Sequence, residues 1–346
     1  MKILHTADLH LGRFYKGELP REISSLRREE LWKSFTNTIN YIEKNNIEVF
    51  LICGDIYERE FFTLADMLRF SELINSLKNT YTFIVGGNHD YIDENSLLYK
   101  VDFNEKVHIF KGSEYFDIDE LNLRVHGISW NRQFDFSADL NFEIDKSKTN
   151  ILMLHGTVGG RSHFPLDLKA INSYEFDYIA LGHIHLSQRI QENCYYCGCP
   201  EALSFSETGG KGFIVVELDK GVRKVEFIEN SIRNYNEIFL DIEEDMSIGA
   251  ILEKFHLLLR DKEDDLNRIV VRGNHNRPGY VAEVLKGQKD YFYIEIIDEL
   301  SLSIPLKELY RANSDNIIGR YIELAKDDEK LLSVGLRALL EAKDED

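Results

Sequence analysis

The sequence predicts an α/β chain: two β-sheets sandwiched with flanking helices, then a small α+β unit and a C-terminal helical segment. Three observations carry that prediction. Strand-like runs alternate with helical patterns through the first two-thirds, which means βαβ units and sheets with covered faces. The runs at 49–53 and 151–154 are apolar almost without a break, as strands buried on both sides are. Near residue 230 the pattern changes to shorter units divided by the polar break Lys262-Glu263-Asp264-Asp265.

Taken in order, strands are expected at 2–6, 49–53, 82–85, 107–110, 123–126, 150–154, 178–181, 188–191 and 212–218. Helical stretches at 24–45 and 64–78 separate the early strands, and the closer spacing later favours antiparallel pairing. Beyond residue 230 a strand at 237–242, an amphipathic helix at 247–260 and strands at 268–272 and 291–297 make the small unit. From residue 308 the chain is helical, with Leu331, Leu332, Leu336, Leu339 and Leu340 as an apolar stripe suited to a partner or to the chain's own core. The expected division is therefore 1–230, 231–307 and 308–346.

Composition bounds the function. The 346 residues are 43% hydrophobic and 29% charged, enough for a substantial core in a soluble protein. No apolar run approaches the roughly 18 residues of a spanning helix. The chain enters its first strand without a signal-peptide pattern, so a cytoplasmic location is expected. Four cysteines are too few for a disulfide framework, and Cys194, Cys197 and Cys199 lack a convincing fourth zinc ligand. The formal net charge of −19 argues against tight nucleic-acid binding by this chain alone, because phosphate contacts dominate such affinity. Two bound divalent cations would add four positive charges where they count most but leave the balance acidic, and help from a basic partner is one resolution.

Five short motifs stand at the ends of predicted strands: Asp8-Leu9-His10, Gly54-Asp55, Gly86-Gly87-Asn88-His89-Asp90, His155-Gly156 and Gly182-His183-Ile184-His185. Singly each is weak; together, in this order, they form a pattern. Residues just past the C-terminal ends of strands in an α/β sheet converge where ligands bind. The converging set is two carboxylates, one amide and four imidazoles: Asp8, Asp55, Asn88, His10, His155, His183 and His185. Nitrogen and oxygen donors without thiolate suit manganese, iron or zinc. Seven donors exceed one tetrahedral site and suit two ions sharing a carboxylate, the arrangement that clamps an in-line phosphoryl displacement.

These motifs resemble those of calcineurin-like metallophosphoesterases. The opening residues 2–12, Gly54-Asp55-Ile56-Tyr57, Gly87-Asn88-His89-Asp90 and the stretch from Gly198 through Glu207 to Phe213 resemble more narrowly the nuclease subunit of the SbcCD complex and its double-strand-break-repair relatives. The resemblance implies a metallophosphoesterase core, a capping domain at 231–307, and an exo- or endonuclease of DNA repair. It implies Mn²⁺ as the ion, a homodimer, and an SMC-like ATPase partner of the SbcC type. It also implies that Asp8, His10, Asp55 and His185 hold one ion and Asp55, Asn88, His155 and His183 the other. A metal-bound hydroxide would then be the nucleophile. His89 would act at the scissile phosphate or leaving oxygen, with Asp90 either orienting it or serving the turn. Two positions depart from the family: Tyr57-Glu58-Arg59-Glu60-Phe61-Phe62 follows the Gly-Asp motif, and Cys199 stands where a small residue such as serine is usual.

Other readings sit beside these. His126-Gly127 is a second His-Gly pair, but His155 has the right place in the motif order. Arg13, Tyr15 and Lys16 follow the first motif on a loop that could meet a DNA backbone. Arg268, Arg272, Asn274, His275 and Arg277 give the small unit one locally basic stretch. The same metal site would also serve a cyclic-nucleotide or small-molecule phosphodiesterase or a phosphatase. A DNA-end-binding scaffold is the non-enzymatic alternative, though it has no chemical need of seven donors.

Overall fold

In the computed structural model, which describes residues 1–15, 17–134, 137–138, 140–159, 164–219, 221–303 and 306–344, the chain divides into Met1–Asn234 and Tyr235–Asp346. In the first unit β1 (Lys2–Thr6), β2 (Val49–Cys53), β3 (Tyr81–Val85) and β4 (Val107–Ile109) pair in parallel, with α1 (Arg21–Lys44) and α2 (Leu64–Ser76) as crossovers. Then come β5 (Ser113–Ile118), β6 (Leu123–Ile128), β7 (Thr149–His155), short β8 (Thr157–Val158) and β9 (Pro165–Leu166), and α3 (Leu168–Asn172). The remaining strands are β10 (Tyr178–Gly182), β11 (Gln188–Gln191), β12 (Cys194–Tyr196), β13 (Gly212–Leu218) and β14 (Val222–Glu229).

One sheet runs β14-β13-β1-β2-β3-β4 and the other β11-β12-β10-β7-β6-β5. Antiparallel pairing in the later part is confined to β5–β6, β11–β12 and the β1–β13–β14 edge, while β6, β7, β10 and β12 are parallel. The two-residue period of a strand explains the layering. Ile3, Val49, Leu51, Cys53 and Phe83 of the first sheet face Val125, Ile151, Met153 and Ala180 of the second in a core between the sheets. Leu4, Phe50, Ile52 and Ile84 point the other way, onto Leu31, Trp32, Phe35, Ile39 and Ile42 of α1 and Met67, Phe70 and Ile74 of α2. The unbroken apolar strands are thus those covered on both faces.

A buried ionic network ties α1 to the later chain. Arg27, fully buried, donates to Glu30 at 2.7 Å, Glu201 at 2.8 Å and the Ala202 carbonyl at 3.2 Å. Glu30 in turn accepts from Arg233 at 2.8 Å, and Glu201 from the Ile232 amide.

The second unit holds β15 (Tyr235–Ile242), α4 (Ile248–Leu258), β16 (Leu266–His275), α5 (Pro278–Lys286) and β17 (Tyr293–Leu302), an all-parallel sheet in that strand order. Helices α6 (Leu306–Ala312), α7 (Ile317–Ala325) and α8 (Glu329–Asp344) follow within the same unit. Leu332 and Leu336 of α8 pack on Ile318, Ile322 and Ala325, and Arg337 pairs with Asp298 of β17 at 2.5 Å. The terminal helical segment therefore belongs to the small unit rather than forming a third region. The basic stretch is largely neutralised: Arg268 pairs with Glu295 and Arg272 with Asp241, and His275 is buried against the Met246 carbonyl. No helix among the described residues is long and apolar enough to cross a membrane.

Candidate metal centre

The two sheets bring the C-terminal ends of β1, β2 and β3 together with those of β7 and β10. The loops after β1 and β2 run side by side, Asp8 N–H donating to the Gly54 carbonyl and His10 N–H to the Asp55 carbonyl, both at 3.0 Å. Gly182 marks where the sheets nearly touch, since a Cβ there would lie 1.9 Å from the Cys53 carbonyl oxygen. At Gly87 a Cβ would lie 2.2 Å from an Asp55 oxygen, so only glycine leaves that carboxylate room. Asp8, His10, Asp55 and His183 all have positive φ, at 55°, 44°, 53° and 98°. Four strained non-glycine residues in one place are a recognised mark of a functional site.

The side chains form two groups. Asp8, His10 and His185 offer donor atoms within 4.8 Å of one another, and so do Asp55, His155 and His183. Asp55 faces both, its Oδ2 lying 3.3 Å from His155 Nε2 and 3.9 Å from His10 Nε2. Asn88 Oδ1 joins the second group at 3.2 Å from His155 Nε2. All seven expected residues therefore gather at one edge. His126 lies apart, buried in β6 among the rings of Tyr115, Phe142 and Phe176.

The histidines are aimed from behind. Nδ1 of His10 faces Glu58 at 2.8 Å, Nδ1 of His185 faces Glu207 at 2.9 Å, and Nδ1 of His155 faces the Cys53 carbonyl at 2.8 Å. With each Nδ1–H donating to an acceptor, it is Nε2 that points inward, where it holds either a proton or, once that proton is displaced, a metal ion. His10 Nε2 and His185 Nε2 then confront each other at 3.2 Å. Two ring nitrogens at that distance share a proton, and a metal ion can take its place, so the donor set fits a metal ion. A carboxylate or carbonyl behind each ligating imidazole is also how protein metal sites fix the tautomer.

Charge follows the same logic. Burial pushes the Asp8 carboxyl above its ordinary range. Burial would raise Asp55 too, but His155 beside it holds it below the usual carboxylate range. His155 is fully buried, which opposes its charge, yet Asp55 brings it up to about 9.

His89 sits at the open side, its side chain 37% exposed against 3% for His10 and 0% for His155. Its N–H donates to Asp55 Oδ1 at 2.9 Å and its Nδ1 faces Glu58 Oε2 at 2.8 Å. Glu58 therefore holds His10 with one oxygen and His89 with the other. Asp90 does not orient His89. Its carboxylate accepts backbone N–H groups of Gly87, Asp55 and Ile56 at 2.6, 3.0 and 2.8 Å, and so fixes the two ligand loops to each other.

Glu58 and Glu207 are the residues that sequence reasoning missed as parts of the site. Both lay in stretches singled out for other reasons, three residues past Asp55 and at the end of Ser204-Phe205-Ser206-Glu207. Of the residues expected to meet DNA, Tyr15 is buried and turned inward. Arg13 lies 3.6 Å from Glu58, and Lys16 falls outside the described residues. The Cys199 thiol lies within reach of His185 and Glu207, but burial raises its pKa well above the ordinary value, which keeps it a protonated donor.

Comparison with known proteins agrees with this geometry. Residues 1–187, more than half of the chain, match the family model of the calcineurin-like phosphoesterases. The chain is a member of that family. A protein of Bacillus subtilis (strain 168) named as the uncharacterized metallophosphoesterase YhaO is 24% identical over 328 residues, covering 86% of this chain and 78% of its own length. This calcineurin-like phosphoesterase is thus a hydrolase of phosphoesters that depends on divalent metal, on a mixed α/β two-sheet frame.

Proposed function

We propose that this phosphoesterase is a two-metal DNA phosphodiesterase, an exo- or endonuclease of DNA repair that uses Mn²⁺ and works as a homodimer with an SMC-like ATPase. The observation that carries the two-metal part is the position of Asp55, whose Oδ2 faces both His155 and His10. Asp8, His10 and His185 would hold one ion and Asn88, His155 and His183 the other, with Asp55 shared. When bound, the ions supply Lewis acidity toward a phosphoryl oxygen and bring the pKa of water toward neutrality. Glu58 fixes the His89 ring through Nδ1, which leaves Nε2 to donate to the phosphate or to the departing ester oxygen. Asp90 keeps the Asp55 and Asn88 loops in register while this occurs.

Support for the nuclease and its partner is the likeness of residues 1–218 in kind to the SbcCD nuclease subunit. Exposed Ile317, Leu324, Leu331 and Val334 on α7 and α8 supply an apolar surface for such a partner. A second reading, a diesterase of small or cyclic nucleotides with the same centre, is favoured by the net charge of −19.

The deciding experiment incubates the protein and Mn²⁺ with end-labelled DNA, a cyclic nucleotide and a phosphomonoester, beside His89→Ala. DNA degradation that collapses in the variant while bound metal persists is the expected result. Turnover of the small substrates alone would remove the nuclease reading and leave the phosphoesterase intact.

A further inference from the structure

Each of the two loops that carry His10 and Glu58 contains a pair of adjacent aromatic residues, one buried and one exposed. In the first loop Tyr15 is buried and Phe14 is 51% exposed. In the second Phe62 is buried, stacked on Tyr57 at 4.6 Å and on Trp32 at 6.0 Å, while Phe61 is 41% exposed. The inward rings anchor the loops, and the outward rings come together with centroids 5.6 Å apart at an interplanar angle of 38°.

This pair borders the metal centre. The Arg13 amide, next to Phe14, bonds the His10 carbonyl at 3.1 Å, and the Phe61 amide bonds the Glu58 carbonyl at 3.0 Å. Arg13 Nη1 lies 3.6 Å from the Glu58 carboxylate that also holds His89. Two exposed rings held together beside a phosphoester centre offer a flat apolar face to a substrate group.

We infer that Phe14 and Phe61 form a stacking platform for a nucleobase of the phosphodiester substrate, an inference that rests on the nucleic-acid reading above. It answers the charge problem directly. With a net charge of −19 and Arg268 and Arg272 paired to carboxylates, affinity for nucleic acid can draw on the ions at the scissile phosphate and on groups that do not read charge. Stacking is such a term, and it is indifferent to base identity. A base must leave a duplex to reach the rings, so single strands and frayed ends are the preferred substrates.

The test compares Phe14→Ala/Phe61→Ala with wild type, both loaded with Mn²⁺, on oligothymidylate, on the same oligonucleotide with abasic sites, and on a dinucleoside monophosphate. The KM for oligothymidylate should rise about 5- to 100-fold in the double variant with kcat unchanged. The KM for the abasic strand should be equal in both proteins, and Phe61→Trp should retain the wild-type KM. The dinucleotide arm separates sources: an equal effect there identifies a small nucleoside diester as sufficient, while an effect on oligothymidylate alone requires a base beyond the scissile step. An unchanged KM for oligothymidylate overturns the platform alone. So does a shift from dimer to monomer by sedimentation, which would make the rings a contact between copies. If wild type cleaves no nucleotide diester yet hydrolyses a phosphomonoester, the parent reading falls and the platform with it.

Discussion

His10 Nε2 lies 3.2 Å from His185 Nε2, with the far nitrogen of each ring committed to a glutamate. A metal ion that replaces the proton between them binds only the folded chain, so metal should stabilise the fold as well as activate it. With Mn²⁺ at 100 times its Kd the expected gain is about 2.7 kcal/mol. Thermal unfolding with added Mn²⁺ and with EDTA reads this. Equal Tm in both conditions would contradict a metal centre here.

Glu207 touches no expected substrate position but holds His185 through Nδ1 and accepts the Leu203 amide at 3.0 Å. Glu207→Gln keeps the shape and weakens the acceptor, so the imidazole becomes a poorer, less fixed ligand. Losses of about 10- to 100-fold in metal affinity are typical for such partners. Titration calorimetry should show one of the two binding events weakened in this way, beside a modest drop in the unfolding midpoint of the metal-free protein, because one amide oxygen cannot accept from both His185 and the Leu203 amide. Weakening of both to the same degree would mean a general loosening of the site instead.

Arg27 is a different kind of residue, far in chemistry from the centre but fully buried between Glu30 and Glu201. Replacing it with methionine leaves two carboxylates without their shared cation. The expected cost is about 3–5 kcal/mol, the penalty for breaking a buried ion pair from one side. Adding Glu30→Gln and Glu201→Gln should recover part of it. Urea unfolding of the single and triple variants tests both statements.

How much of this was legible depends on where each signal resides. Strand β2 could be read to the residue because both its faces are buried, which leaves an unbroken apolar run. Strands β5 and β14 escaped notice because both lie at sheet edges with mostly exposed or half-exposed side chains, which leaves no apolar pattern to read. The seven donors were visible because each follows a strand directly. Glu58 and Glu207 were not, because their parts are created by tertiary approach across 48 and 22 residues to His10 and His185. At Asp90 the sequence left two readings open, orienting His89 or serving the turn. Adjacency to His89 suggested a partnership, whereas the turn directs its carboxylate back onto the amides of Gly87, Asp55 and Ile56.

His126, one of the histidines outside the centre, gives the protein a predictable acid sensitivity. It is 2% exposed among three aromatic rings, and burial lowers its pKa from 6.5 to about 4. Between those two values the unfolded chain binds the proton and the folded one does not, so stability falls as pH drops through 6.5 and the loss is complete near pH 4. At pH 5 the gap of about 1.5 units amounts to about 2 kcal/mol. In His126→Phe the ring contacts persist and the proton site is gone, so the decline between pH 7.5 and pH 5 should be shallower by that amount. His5, buried against Tyr178 and lowered in the same direction, contributes equally to both proteins and cancels. Urea midpoints at the two pH values decide the matter: parallel declines in wild type and variant would mean that the His126 site takes up its proton without opening the fold.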